Sequence, residues 1–268
     1  MGSQGELHAM LNLLTIVLDG MPWIACHYGE LRRLTIPWEW WIVEGVAAPT
    51  HCTSWCTQIP PRLSNDGTTE YLDSLRAADS RVKVLRSVMW DGKCAMLNHA
   101  LSRMYHPGIL LQVDSDELWT AEQLHKLNDL FEHHKDRNCA AFWCRYFVGR
   151  DLVITTRNTY GNNSSYEWRR AWRYQFGMNF KSHEPPVWNG PKPAWFSHAD
   201  TERAGLVFDH MAYATEATLA FKAQYYKETY RNAVECWQKL QENRTFPTPL
   251  RQWFPWVTDN AMVNRIER

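Results

Sequence analysis

Apolar runs alternate with amphipathic stretches from the start of the chain. Leu11-Asn12-Leu13-Leu14-Thr15-Ile16-Val17-Leu18 reads as a buried strand ending at Asp19-Gly20. Residues 23–34 read as a helix, and Trp38 to Val43 as a second strand ending at Glu44-Gly45. Residues 48–66 are polar, proline-rich and irregular. The run Asn65-Asp66-Gly67-Thr68-Thr69-Glu70 opens a helix over about 69–78, because a capping side chain and an early acid satisfy the free amides of a first turn. Arg81 to Leu85 gives a third strand and residues 92–105 a helix. Gly108 to Val113 gives a fourth strand that runs straight into Asp114-Ser115-Asp116-Glu117.

Strands alternating with helices imply right-handed crossovers and an α/β fold, a mainly parallel Rossmann-like sheet with helices on both faces. Ligands of such sheets bind beyond the carboxyl ends of the strands. Here those ends carry Asp19, Glu44 and Asp114-Ser115-Asp116, so three acidic clusters converge on one edge. The second half is more mixed, with strands near 139–148 and 151–157, a loop at 158–165 and a Trp/Arg-rich segment through Phe180. A long helix is expected at about 215–243, packing through Leu219, Tyr226, Tyr230, Val234 and Trp237. The Pro/Trp-rich tail 246–257 should wrap back onto the body. No internal repeat is visible, and the expected organisation is one domain over 10–268, divided into 10–120, 121–214 and a terminal part 215–268. Met1-Gly2-Ser3 reads as a cloning remnant ahead of a natural start at Met10, which keeps residues 1–9 out of the fold argument.

Composition narrows the class. The 268 residues are 45% hydrophobic and 22% charged, a globular balance. Lys plus Arg and Asp plus Glu both number 29, which excludes a generally basic nucleic-acid coat while allowing a local patch. Fifteen Trp, eleven Tyr and ten Phe supply rigid platforms that suit sugars, bases or tight packing. Seven cysteines without a repeated framework, and no signal peptide, point to reduced thiols and a cytoplasmic protein. The longest apolar run, Leu13 to Leu18, is too short to span a bilayer. His51, Cys52 and Cys56 lack a second pair at finger spacing, so structural zinc is rejected; Cys139 and Cys144 read as core.

Asp114-Ser115-Asp116 is the sharpest chemical feature. On extended backbone residues i and i+2 point the same way, so both carboxylates reach one point. Such hard oxygen donors suit Mg2+ or Mn2+ with positions left open for a diphosphate. On spacing alone the motif is equally a solvated turn. A calcium loop fits less well, because Leu118 stands where an oxygen ligand is needed.

Strand, acidic end, helix; strand, Glu44; Asp91-Gly92-Lys93 with Asn98; strand, Asp-x-Asp: this succession over residues 11–120 resembles the nucleotide-sugar half of GT-A-fold glycosyltransferases of the family-two type. The resemblance implies a nucleotide-sugar donor, a UDP-sugar, with Asp19 and Glu44 on its nucleoside side, Lys93 near phosphate, Asp114 at the ribose and metal, and Asp116 as main metal ligand. Glu44-Gly45-Val46 departs from the family's usual Asp-rich run, which leaves the base open. Ser182-His183-Glu184-Pro185 resembles the His-Glu element beside the acceptor, implying Glu184 as the base of an inverting transfer. Phe208-Asp209-His210 resembles the late histidine of the metal shell, and a neutral imidazole suits Mn2+ better than Mg2+.

Residues 145–182 hold seven Lys/Arg against Asp151 and Glu167, a local charge of +5, interleaved with aromatic residues. Trp168, Arg169, Arg170 and Trp172 are therefore candidate acceptor contacts, and the resemblance of the His-Glu element adds His183. The Gln-x-x-Arg-Trp signature of processive polysaccharide synthases is absent, which favours a single transfer to a glycan hydroxyl. A DNA acceptor carrying hydroxymethylated bases is the alternative, and a non-catalytic nucleotide-sugar-binding protein is the alternative of another class.

Overall fold

The computed structural model describes residues 9–50, 54, 56–154, 168–183, 186–226 and 232–267. The first half runs β1 (Met10–Val17), α1 (Ile24–Leu31), β2 (Trp38–Ala47), α2 (Thr68–Ala78), β3 (Val82–Trp90), α3 (Gly92–Leu101), β4 (Gly108–Gln112). The chain continues through β5 (Glu117–Leu118), α4 (Ala121–His133), β6 (Cys139–Ala141), β7 (Cys144–Phe147), β8 (Leu152–Ile154), β9 (Arg169–Tyr174), β10 (Asn179–His183) and β11 (Pro186–Asn189). It closes with β12 (Trp195–Phe196), α5 (His198–Arg203), β13 (Phe208–His210), α6 (Glu216–Tyr225), α7 (Ala233–Glu242), β14 (Thr248–Pro249) and β15 (Met262–Arg265).

The main sheet has the order β12-β6-β9-β4-β1-β2-β3. β4, β1, β2 and β3 are parallel, and β9 alone runs the other way, antiparallel to both β4 and β6. The expected sheet is therefore present. Its centre is buried on both faces, as the unbroken apolar runs of β1 and β2 require. Leu11, Leu13, Trp38, Trp40 and Ile42 face α1, α2 and α4 through Ile24, Leu31, Leu72, Leu75, Leu127 and Phe131. Leu14, Trp41 and Val43 face α3 on the opposite side, against Met96, Leu97 and Leu101. Each such side chain contributes roughly 1.5–3 kcal/mol by leaving water.

A second sheet, β14-β15-β8-β7-β13-β5, has its own core, in which Leu250, Phe254 and Val257 of the tail pack with Tyr213, Leu219 and Leu240. The tail does fold back onto the body.

Three local expectations are corrected, and one helix was unforeseen. α2 starts at Thr68, with Gly67 in the left-handed region (φ 94) and Asp66 Oδ1 accepting from the Thr68 amide at 3.1 Å. The expected strand over 139–148 is two strands, β6 and β7. The expected helix over 215–243 is two helices, because Asn232 opens α7 in a left-handed conformation (φ 56) that no continuing helix allows. α4 was not expected at all. Its signal was present: Thr120 and Gln123 form a reciprocal capping box ahead of Leu124, Leu127 and Phe131. No helix among the described residues is long and apolar enough to cross a membrane.

Candidate active site

A cavity of about 730 Å3 opens beyond the carboxyl ends of β1, β2 and β4, where the sheet rule places a ligand. Asp19, Lys93, Asp114, Asp116, Trp168, Arg170, His183 and His210 all stand on its wall. Glu44, Arg169 and Trp172 do not.

The acidic loop is assembled by backbone. Val113 bonds back to Leu14 O at 3.0 Å, so the loop leaves β4 beside β1. Directly after the loop, β5 pairs antiparallel with β13, in register Glu117 to His210. The Met211 amide then donates to Asp116 O at 2.8 Å. This pairing brings His210 Nε2 to 3.5 Å from Asp116 Oδ2. Behind the loop, buried His27 holds Ser115 O at 2.9 Å through Nε2, and burial lowers its pKa, which keeps the ring neutral.

Both loop carboxylates already face cations. Lys222 Nζ lies 2.9 Å from Asp116 Oδ2, and Arg170 lies 3.2 Å from Asp114 Oδ2. Burial works to raise the Asp116 pKa, yet Lys222 and His210 outweigh it and hold the carboxyl well below the usual range. Arg170 also grips buried Glu117 through Nε and a terminal nitrogen at 2.7–3.1 Å. Burial pushes the Glu117 carboxyl up while Arg170 pulls it down.

His210 fits a metal role in chemistry: it is 7% exposed, and its Nδ1 is buried without a hydrogen-bond partner. With Asp114 and Asp116 it forms an oxygen and imidazole donor set suited to Mn2+ or Mg2+. The set is not pre-gathered, for no three His, Cys, Asp or Glu side chains among the described residues converge as a cation site.

Both carboxylate oxygens of Asp19 are taken by Arg62. Its carboxylate takes Arg62 at 2.9 Å and the Asn65 amide at 3.0 Å. The next amides of the same loop donate to Thr68 Oγ1 at 2.9 Å and Asp66 Oδ2 at 2.8 Å, so residues 62–68 clamp the end of β1. Lys93 Nζ lies 5.8 Å from the Tyr225 ring, and both residues line the cavity.

Glu44 is corrected outright. It is fully buried, gripped by Arg86 Nε at 2.6 Å and by Thr69 Oγ1, behind the wall rather than on it. A register break between Glu44 and Val46 causes this, with Gly45 at φ 134 and no room for a Cβ, which would sit 1.8 Å from Ser87 O.

The acceptor candidates differ in what they touch. Arg170 and Trp168 reach the cavity, but Arg170 is spent on Glu117 and Asp114. Arg169 points to the other face, its guanidinium 4.6 Å over the Trp195 ring. Trp172 is 2% exposed core, packed on Trp188 at 5.0 Å and Phe180 at 5.6 Å. His183 is buried, with the Gln112 amide nitrogen 3.2 Å from its Nε2. Glu184, His51 and Cys52 lie outside the described residues.

Sequence reasoning missed the opposite wall. Trp23, Tyr146, Tyr213, Phe221, Lys222 and Tyr225 close the cavity, most of them from α6 and β7. Helical spacing in 216–225 was readable, but which face it turns to the acidic loop was not.

Residues 63–192, just under half of the chain, match the model of the family Glycosyl transferase family 2. That segment is similar to family-two glycosyltransferases, and the mixed α/β sheet order is consistent with a GT-A fold. The matched segment includes Asp114, Asp116 and His183, whereas Asp19, His210 and Lys222 lie outside it. No curated protein matches the chain significantly. Among solved structures, the mannosyltransferase PcManGT from Pyrobaculum calidifontis in complex with GDP-Man and Mn2+ is similar at TM-score 0.49 and 11% identity, over 93% of this chain and 68% of that one. TarS 1–349 of S. aureus is similar at TM-score 0.44 and 15% identity, over 61% of this chain and 47% of that one. The chain thus aligns with about half the length of that TarS fragment.

Proposed function

We propose that this chain moves a sugar from a nucleotide-sugar, a UDP-sugar, to an acceptor hydroxyl with inversion, aided by Mn2+ or Mg2+. The observation that carries the reading is the acidic loop laced to the His210 strand at the floor of a cavity beyond the sheet edge. Asp114, Asp116 and His210 would hold the ion, which when bound supplies positive charge to the departing diphosphate. Lys93, which lines the cavity, would add charge to the same phosphates. Glu184, next to cavity-lining His183, takes the proton of the acceptor hydroxyl. The acceptor oxygen then bonds to the anomeric carbon, and the bond from that carbon to the diphosphate oxygen breaks with its electron pair leaving on the nucleoside diphosphate.

A glycan acceptor is favoured over modified DNA. The cavity wall offers Trp23, Trp168, Tyr146 and Phe221 for stacking on a sugar. Three of the basic residues that would attract a polyanion are engaged elsewhere: Arg145 on Asp209, Arg170 on Glu117, and Arg173 on the Arg137 and His134 carbonyls. Thermal-shift titration of UDP- and GDP-sugars with and without Mn2+, followed by donor hydrolysis without acceptor, tests the reading. Stabilisation by one nucleotide class that needs Mn2+, with slow release of free sugar, is the expected result. Binding without any turnover would favour a non-catalytic nucleotide-sugar-binding protein.

A further inference from the structure

Lys222 has no part in the roles assigned above, yet its ammonium sits on the oxygen they most depend on. It stands in the last turn of α6, whose Ala217, Thr218, Phe221 and Tyr225 also face the cavity. The Trp23 indole nitrogen, 3.4 Å from Thr218 Oγ1, ties this helix to the loop after β1. Lys222 Nζ and His210 Nε2 approach the same Asp116 Oδ2, at 2.9 and 3.5 Å. The pair is largely removed from water, with side chains 18% and 13% exposed. A divalent ion at Asp116 and the ammonium therefore compete for one carboxylate.

The charges around the loop show when each wins. Asp114, Asp116 and Glu117 face two fixed cations, Arg170 and Lys222. Among these groups carboxylates outnumber fixed cations by one. A divalent ion arriving alone would reverse that sign and stand beside the ammonium in a poorly hydrated site, where like charges repel strongly. A nucleoside diphosphate arriving with the ion restores the balance and gives the displaced ammonium a new anion.

We propose that Lys222 is an internal counter-ion of Asp116, which yields the carboxylate to the divalent ion only when a nucleoside diphosphate enters and then pairs with that diphosphate. The proposal rests on the reading of Asp116 as a metal ligand. It makes the binding of ion and nucleotide mutually dependent, and reciprocally so. It also keeps the Asp116 carboxylate paired between turnovers.

The test uses the full chain and two probes, Mn2+ and UDP. Free Mn2+ is followed by electron paramagnetic resonance in titrations with and without UDP, for wild type, Lys222→Met, Lys222→Arg and Asp116→Asn. Lys222→Met should bind Mn2+ alone at least about tenfold more tightly than wild type, since an opposite charge at this range changes a carboxylate's cation affinity by roughly one to three powers of ten. UDP should strengthen Mn2+ binding many-fold in wild type and much less in Lys222→Met. Lys222→Arg, which keeps the charge, should resemble wild type. Lys222→Gln serves in place of the methionine variant if that one does not fold. Unchanged or weaker Mn2+ binding by the neutral variants, beside a wild type that binds Mn2+ with UDP, overturns the proposal and leaves Lys222 as an anchor for α6. A wild type that binds no Mn2+ even with UDP, and that Asp116→Asn matches, overturns the metal reading itself and this proposal with it.

Discussion

Asn98 Oδ1 accepts from the Phe180 amide at 2.7 Å while its own amide nitrogen donates to the Phe180 carbonyl at 2.8 Å. One side chain on α3 thus behaves as a strand partner for β10, the strand that carries His183 to the cavity. Asn98→Ala leaves both backbone groups half-buried without those bonds, and should cost about 2 kcal/mol in urea unfolding. It should also raise the acceptor KM more than it lowers kcat. An unfolding midpoint equal to wild type would show that β10 is held elsewhere.

Asp116→Ala should abolish turnover and Mn2+-dependent donor binding while the chain still folds, because the residue follows a strand end rather than sitting in the core. His210→Ala should weaken Mn2+ binding less, since one ligand of several is lost. Full activity of Asp116→Ala in excess EDTA would remove the ion from the mechanism.

Glu184→Gln preserves shape and removes basicity. Turnover is expected to fall by roughly 10²–10⁴ with donor affinity little changed. Loss of donor binding instead would make Glu184 a donor contact and favour retention of configuration.

Arg170 and Arg169 separate stability from acceptor charge. Arg170→Met strands the buried Glu117 carboxylate and should cost about 3–5 kcal/mol in chemical unfolding. Arg169→Ala should leave the salt dependence of acceptor KM flat, as a neutral acceptor requires. A steep fall of acceptor affinity with salt, flattened by Arg169→Ala, would revive the nucleic-acid acceptor.

Asp79 gives a pH signature away from the site. Hydrogen bonds from Arg81 hold its carboxyl at about 2, and the Arg81 guanidinium lies 3.9 Å over the Trp38 ring. A depressed carboxylate stabilises the fold above its unfolded pKa, and the contribution disappears as pH falls through the folded value. Asp79→Asn should therefore cost about 1 kcal/mol at neutral pH, the scale of an exposed pair. Thermal unfolding of mutant and wild type should converge between about pH 4 and pH 2.

What could be read in advance was local. The apolar runs of β1, β2 and β4 mark buried parallel strands, and the Asp-x-Asp run follows β4 directly, so the sheet edge with its acidic loop was legible. Lys222 was not, because its partner is 106 residues away and the pairing depends on which face α6 turns inward. The Trp/Arg segment misled for a related reason. As β9 it enters the sheet between β4 and β6, and that placement buries Trp172 and turns Arg169 away. Glu44 misled through a one-residue bulge, which no strand pattern announces.

That bulge has a consequence for how the cavity tolerates variation. Past Glu44 the wall is made by Gly45, Val46 and Ala47, so an occupant of that end meets peptide groups and small aliphatic carbon. Discrimination there is written in main-chain shape. Deep mutational scanning should then find Val46 and Ala47 permissive towards similar small residues, while Gly45 admits no substitute and Glu44, unseen by any ligand, is nearly as intolerant because the bend hangs on it.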